Sequence, residues 1–179
     1  IYEKVAEQDG VFVMVGYNGT NYWSKDGKTW TACTGLSTAF EYRPLAYGNG
    51  IFVTDGYKRS GIYVSEDGKA WINSNKYLGS YTWRKGVYGN SMFIFVGNEV
   101  IAKITGNSKD NLVASYQEIN SVYYYSDVAY GMGKFVAVGS NDRKSLISYS
   151  TDGTTWTHVQ SPYVNQELVA VAYGAGKFV

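Results

Sequence analysis

The chain has 179 residues with a formal net charge of +1, 16 basic against 15 acidic side chains, so no basic stripe supports phosphate-driven nucleic-acid binding. No stretch approaches the about 20 consecutive apolar residues of a membrane-spanning helix, and the single cysteine, Cys33, excludes an internal disulfide. Eighteen tyrosines and 21 glycines against 2 prolines favour many short strands joined by tight turns over helices.

One phrase recurs along the chain. Its copies are VAEQDGVFVMVG at Val5–Gly16, LAYGNGIFVTDG at Leu45–Gly56, GVYGNSMFIFVG at Gly86–Gly97, VAYGMGKFVAVG at Val128–Gly139 and VAYGAGKFV at Val171–Val179. The equivalent positions Gln8, Gly48, Gly89, Gly131 and Gly174 lie 40, 41, 42 and 43 residues apart. A period of roughly 40–45 with β composition is the mark of a β-propeller built from four-stranded antiparallel blades.

Each unit reads as four strands in order. A short, small-sided innermost strand such as Val128-Ala129-Tyr130 comes first, followed by a Gly-containing hairpin turn. The second is an apolar run (Phe12–Val15, Phe93–Val96, Phe135–Val138), as expected of a strand covered on both faces. The third (Ile62–Val64, Leu146–Tyr149) ends in a Ser-x-Asp-Gly motif, and the fourth begins at the tryptophan after it. The expected blades are approximately 1–40, 41–82, 83–122 and 123–165, with 166–179 opening a fifth. An apolar strand ending at Phe178-Val179 would leave an open edge. The expectation is therefore a single propeller that is part of a larger ring, with closure through a partner chain as the lesser alternative.

The motif is SKDGKTW at Ser24–Trp30, SEDGKAW at Ser65–Trp71 and STDGTTW at Ser150–Trp156. In the third unit Ser108-Lys109-Asp110-Asn111 stands in its place, with Asn111 for glycine and Ala114 for tryptophan. Asp26, Asp67, Asp110 and Asp152 are spaced by 41, 43 and 42 residues. Serine and aspartate oxygens in such a turn accept backbone N–H bonds. Gly27, Gly68 and Gly153 supply positive φ, and Trp30, Trp71 and Trp156 pack over the hairpin. Asparagine tolerates the left-handed backbone next best after glycine, so the third turn is expected to keep its geometry. These residues read as a folding device, not a catalytic one.

The three motifs resemble the Asp-box (BNR) repeats of sialidases, sortilin-type receptors and several glycoside hydrolases, one residue shorter than usual. The whole unit is more similar to the AYGNGKFVAVG…YSTDGTTWT repeats of bacterial surface proteins and of phage tail or receptor-binding proteins. The resemblance spans essentially the entire chain and is specific for fold, not for function.

Strand order puts the Asp boxes at one end of the blades and the inter-blade and second-to-third loops at the other. Those second loops differ from unit to unit, as recognition loops do. They supply the candidate ligand-binding residues Tyr42, Arg43, Tyr57, Arg59, Tyr81, Trp83, Arg84, Tyr124, Asn141 and Arg143. Arg43 and Arg84 each stand five residues before the turn glycine of their unit, which places both in an innermost strand near the channel mouth. Exposed aromatic rings with Asn and Arg suit glycan recognition and equally suit protein hot spots. The alternative reading is that many of these tyrosines fill space between blades.

A sialidase requires an arginine triad, and the four arginines of the chain do not form its pattern. Glu41, Glu99, Asp142 and Glu167 show no pairing that would mark a two-carboxylate hydrolase. His158 and Cys33 are far apart and give no metal constellation. The glycine pairs are hairpin turns, not phosphate or dinucleotide loops. The expectation is thus a non-enzymatic module with no cofactor and no metal. It would bind glycan or a surface receptor, extracellularly or on a virion, and contact other surface or virion proteins, without nucleic acid or membrane insertion. A structural or assembly propeller and a glycoside hydrolase fragment stand as alternatives.

Overall fold

The computed structural model describes residues 2–8 and 160 through their backbone and residues 10–57, 61–142, 144–159, 161 and 166–179 in full. The described residues contain strands and no helix. Strands β1 (Tyr2–Gln8), β2 (Val11–Gly16), β3 (Tyr22–Ser24) and β4 (Thr31–Ala32) form one sheet in that order. The second sheet is β5 (Tyr42–Gly48), β6 (Ile51–Gly56), β7 (Gly61–Ser65) and β8 (Ile72–Asn73). The third is β9 (Trp83–Gly89), β10 (Met92–Gly97), β11 (Val100–Thr105) and β12 (Val113–Glu118). The fourth is β13 (Tyr123–Gly131), β14 (Lys134–Asn141), β15 (Lys144–Ser150) and β16 (Thr157–Gln160). The hairpin of β17 (Tyr173–Gly174) and β18 (Lys177–Phe178) follows. Within each sheet the strands pair antiparallel with their chain neighbours, and the first strands of successive sheets lie side by side. The sheets are therefore propeller blades fanning from a line of first strands.

The first strands are longer than expected, at seven residues in β5 and β9 and nine in β13. They run on into segments that sequence alone suggests are loops. The hairpin turns are as predicted. Asn49-Gly50, Asn90-Ser91, Met132-Gly133 and Ala175-Gly176 all have positive φ at both residues, the geometry that matches strand twist in a two-residue hairpin. The second strands β6 and β10 are buried along their whole length. The cores lie between blades: Ala46, Ile51, Val53, Ile62 and Val64 of the second pack against Phe93, Phe95, Val100, Ala102 and Ile104 of the third.

Each blade joint repeats one fitting. Gly48, Gly89 and Gly131 end their first strands, and over each lies a tyrosine ring of the next blade, Tyr88, Tyr130 and Tyr173. A Cβ at any of the three would fall within the ring. Each tyrosine also packs on its own blade's phenylalanine, Phe93, Phe135 or Phe178, with ring centroids 4.8, 4.7 and 5.0 Å apart.

The Ser-x-Asp-Gly turns form as their residues dictate. Asp26 Oδ1 accepts Lys28 N–H at 2.8 Å and Thr29 N–H at 2.7 Å. Asp152 Oδ1 accepts Thr154 and Thr155 N–H, both at 2.8 Å, and Asp67 Oδ1 accepts Lys69 and Ala70 N–H at 2.8 and 3.0 Å. Ser24, Ser65 and Ser150 hydroxyls each donate to the aspartate of their turn. Gly27, Gly68 and Gly153 take φ of 68°, 72° and 69°. Trp71 is buried, whereas Trp30 and Trp156 are half-buried. Each fourth strand starts one residue after its tryptophan.

The third unit departs from expectation. Asn111 is not in the left-handed region, and positive φ falls instead on Gly106. Asn111 Oδ1 accepts the N–H groups of Asn107 and Ser108, each at 2.9 Å. Asp110 is exposed and pairs with Lys109, so it does not act as the turn aspartate. The asparagine side chain offers the Asn107 and Ser108 backbone a local partner that competes with the motif turn.

Candidate recognition site at the end opposite the Ser-x-Asp-Gly turns

Every complete blade carries an irregularity at one place in its first strand. Pairing slips between Tyr2 and Lys4, between Tyr42 and Leu45, opposite Val96 and Gly97, and between Tyr125 and Asp127. The residues left over are Glu3, Arg43 with Pro44, Arg84, and Ser126. A bulge re-aims a side chain and is frequent beside functional sites. Proline, lacking an N–H, fits such an interruption. The two arginines predicted for innermost strands are thus each presented by a bulge, in a position whose residue type changes from blade to blade.

Arg43 gathers the largest cluster. Its guanidinium carbon lies 4.8 Å from the Tyr17 ring centroid and 5.5 Å from that of Tyr57, within cation–π range of both. One terminal nitrogen donates to Glu41 Oε2 at 3.2 Å. Its Nε is buried with no hydrogen-bond partner, and so is Nε1 of Trp83. The Tyr57 N–H donates to the Glu41 carbonyl at 2.8 Å, which ties the loop after β6 to the entry of β5. Arg43, Pro44, Asp55, Tyr57, Tyr81 and Trp83 line a crevice too narrow for a whole water molecule.

Asp55 is the residue sequence reasoning missed. It is 3% exposed. Burial pushes its carboxyl well above the ordinary carboxylate range. The signal is present in the repeat: where the other blades have Val15, Val96 and Val138 before the repeat's last glycine, the second blade has Asp55. Its neighbour Thr54 is also buried but satisfied, donating to the Pro44 carbonyl at 2.6 Å.

The remaining predicted residues divide. Tyr42 and Trp83 are core, at 0% and 2% exposure, not exposed loop aromatics. They occupy one register position with Tyr125, and all three plug a blade joint from the start of a first strand. The Tyr42 hydroxyl accepts the Ser37 N–H, and burial raises its pKa. Tyr81 donates its hydroxyl to Glu118, a bond that raises its pKa to about 12, and stacks edge-on to Trp83 with centroids 6.1 Å apart. Arg84 is exposed and donates through Nε to Asn98 Oδ1 at 3.1 Å. Asn98 in turn pairs with Tyr124, which is 41% exposed, so a second, smaller cluster forms between the third and fourth blades. Asn141 is half-buried at the end of β14. Arg59 and Arg143 lie outside the described residues. His158 is on an outermost strand, as expected, and its Nδ1 meets Ser148 Oγ at 2.8 Å.

No family model and no curated protein matches the chain. Solved structures do. A structure of YCF48 bound to D1 peptide aligns over 97% of this chain and 58% of its own, with 17% identity and a TM-score of 0.64. A chain of the nidogen/laminin complex aligns over 99% and 70%, with 11% identity and a TM-score of 0.70. AFV00434, described as an ancestral GH74 enzyme, aligns over 92% and 26%, with 14% identity and a TM-score of 0.61. The chain thus spans little more than half of the first of these and about a quarter of the last. The GH74 likeness corrects one expectation. A missing catalytic constellation suggested a non-enzyme, yet the same fold carries an enzyme as well as protein-binding chains, so the fold does not separate the two. What these identities establish is the fold: an all-β propeller of four-stranded blades.

Proposed function

We propose that the chain is a recognition module that binds carbohydrate across the bulge-bearing end of its blades, with Arg43, Tyr57 and Tyr17 as the contact surface. The observation that carries this reading is Asp55. Asp55 is buried, a buried carboxyl costs stability, and the other blades show that valine fits the position. Such a cost is kept where a ligand uses the group or the geometry around it. The Tyr–Arg–Tyr stack above it presents flat rings for sugar C–H faces and guanidinium N–H donors for hydroxyls. Because the crevice is narrow, the ligand lies over its mouth, not inside it. The three Ser-x-Asp-Gly turns resemble shortened Asp boxes of the kind borne by extracellular and phage tail proteins, and that resemblance supports exposure on a cell or virion surface. Fractionation of the native source with an antibody to the chain tests it: a purely cytosolic signal contradicts it.

A glycan array and a cell-wall polysaccharide pull-down, comparing wild type with Arg43→Ala and Tyr57→Ala, test the binding reading. A loss of tenfold or more in both variants is expected, and wild-type binding by both would overturn the assignment. Trp83→Ala is unsuitable here, because removing a buried ring tests folding. A second reading is a protein partner at the same surface. It is favoured by the peptide and the complex named for two structural neighbours and by the Tyr and Arg composition. Peptide binding that is lost in Arg43→Ala while every glycan fails would select it.

A further inference from the structure

The groove at the opposite end, between the outer halves of the second and third blades, belongs to none of this. Its origin is legible in the repeat. One register position on the third strand, facing the joint, is Trp23, Val64, Lys103 and Tyr149 in the four blades, each one residue before the residue paired with the phenylalanine of the second strand. In the first blade Trp23 takes Lys69 of the next blade's turn over its ring, Nζ 4.8 Å from the centroid. In the third, Lys103 donates to the Asp152 carbonyl at 2.7 Å and to Thr154 Oγ1 at 3.4 Å, both in the turn of the fourth blade. The turn glycines complete those joints: Gly68 seats against Val11 and Val13, and Gly153 against Met92 and Ile94.

The joint between the second and third blades lacks both devices. Val64 is too short to bridge, and the third blade's turn has lost its glycine and folds on Asn111 instead. A cavity of about 360 Å³ results. Its floor is Ile51, Val64 and Ile72, the last 53% exposed, and its rim carries Glu66, Asp67 and Asp110. Among the described residues the one rim cation, Lys109, is bound to Asp110, and Lys69, in the turn of Glu66 and Asp67, is turned away over Trp23. An apolar floor under an acidic rim complements a basic side chain with a long apolar stem.

We infer that this groove is a second binding site, for an extended peptide segment of a protein partner that places lysine or arginine over the rim and an aliphatic side chain on the floor. It is independent of the carbohydrate reading and lies at the other end of the blades. The repeat supplies the blocking variant: Val64→Lys installs the side chain that the third blade uses at the same position.

The probe is a fluorescein-labelled peptide of alternating leucine and lysine, read by anisotropy at low and physiological salt. Its leucine–glutamate counterpart is the control. The leucine–lysine peptide should bind the wild type and weaken tenfold or more with Val64→Lys and with the Glu66→Gln/Asp110→Asn pair. Backbone amide shifts should concentrate in residues 64–72 and 108–110. Ile72→Lys, on the exposed outer strand, serves if Val64→Lys does not fold. Arg43→Ala should leave this binding unchanged, which separates the failure of this site from failure of the carbohydrate site. No binding by the wild type, equal binding of the glutamate peptide, undiminished binding to the blocked variant, or shifts centred on Arg43 would each overturn the inference.

Discussion

The ring of Tyr88 in the third blade occupies the space that a Cβ on Gly48 of the second would need, and the same fitting joins Gly89 to Tyr130 and Gly131 to Tyr173. Gly174, the equivalent residue of the last hairpin, has nothing within 4 Å of that position. The glycine is therefore a docking surface for the next blade, not a turn requirement. Gly48, Gly89, Gly131 and Gly174 all lie outside the positive-φ region.

That contrast gives the first prediction. Gly89→Ala should destabilise the chain by about 1–3 kcal/mol, because the methyl must displace a packed ring. Gly174→Ala should stay within about 0.5 kcal/mol. Urea unfolding of the two variants against wild type measures the difference, and equal midpoints for both would contradict the joint described.

The Ser-x-Asp-Gly turns predict an acid limb. Backbone N–H bonds hold Asp26 and Asp152 at about 2, below the ordinary 3.8. A depressed folded pKa means the unfolded chain binds more protons, so this stabilisation is complete above about pH 4 and is lost as pH falls towards 2. Asp152→Asn should shrink the loss between pH 4 and 2. Carboxyl-carbon NMR titration reads the pKa values directly.

At the start of β9, adjacent residues should behave oppositely. Trp83→Ala should cost about 3–5 kcal/mol, as loss of a buried ring does, whereas Arg84→Ala should change stability by less than about 0.5 kcal/mol. Thermal melts followed by near-ultraviolet circular dichroism distinguish the two.

Much of this fold was legible because the repeat states it several times. The period marked the blades, and the Ser24, Ser65 and Ser150 motifs marked their turns. The third turn departs from its motif because residue preference at Asn111 does not encode the competing bonds that its amide accepts from Asn107 and Ser108. Tyr42 and Trp83 read as loop residues in the sequence because a strand lengthened by a bulge has no continuous alternation, yet both lie in strands. Their burial comes from the neighbouring blade, which no local pattern encodes. Arg43 and Arg84 were legible by position, but not the bulge that presents them. Asp55 escaped because it sits inside an apolar run. Only comparison across blades, with Val15, Val96 and Val138, exposes it.

The direct test of a carboxyl kept for function is Asp55→Val, the residue that the other blades use. Burial raises the folded pKa of Asp55 above its unfolded value. Wild-type stability should therefore fall as pH rises above about 4, and level off beyond the folded pKa. Asp55→Val should abolish that slope, raise stability at neutral pH by about 1–3 kcal/mol, and weaken carbohydrate binding at least tenfold. Urea unfolding at pH 4 and 7, with glycan binding measured on the same preparations, decides it. A variant that is stabilised but binds as the wild type, or one that is destabilised at pH 7, would contradict the account.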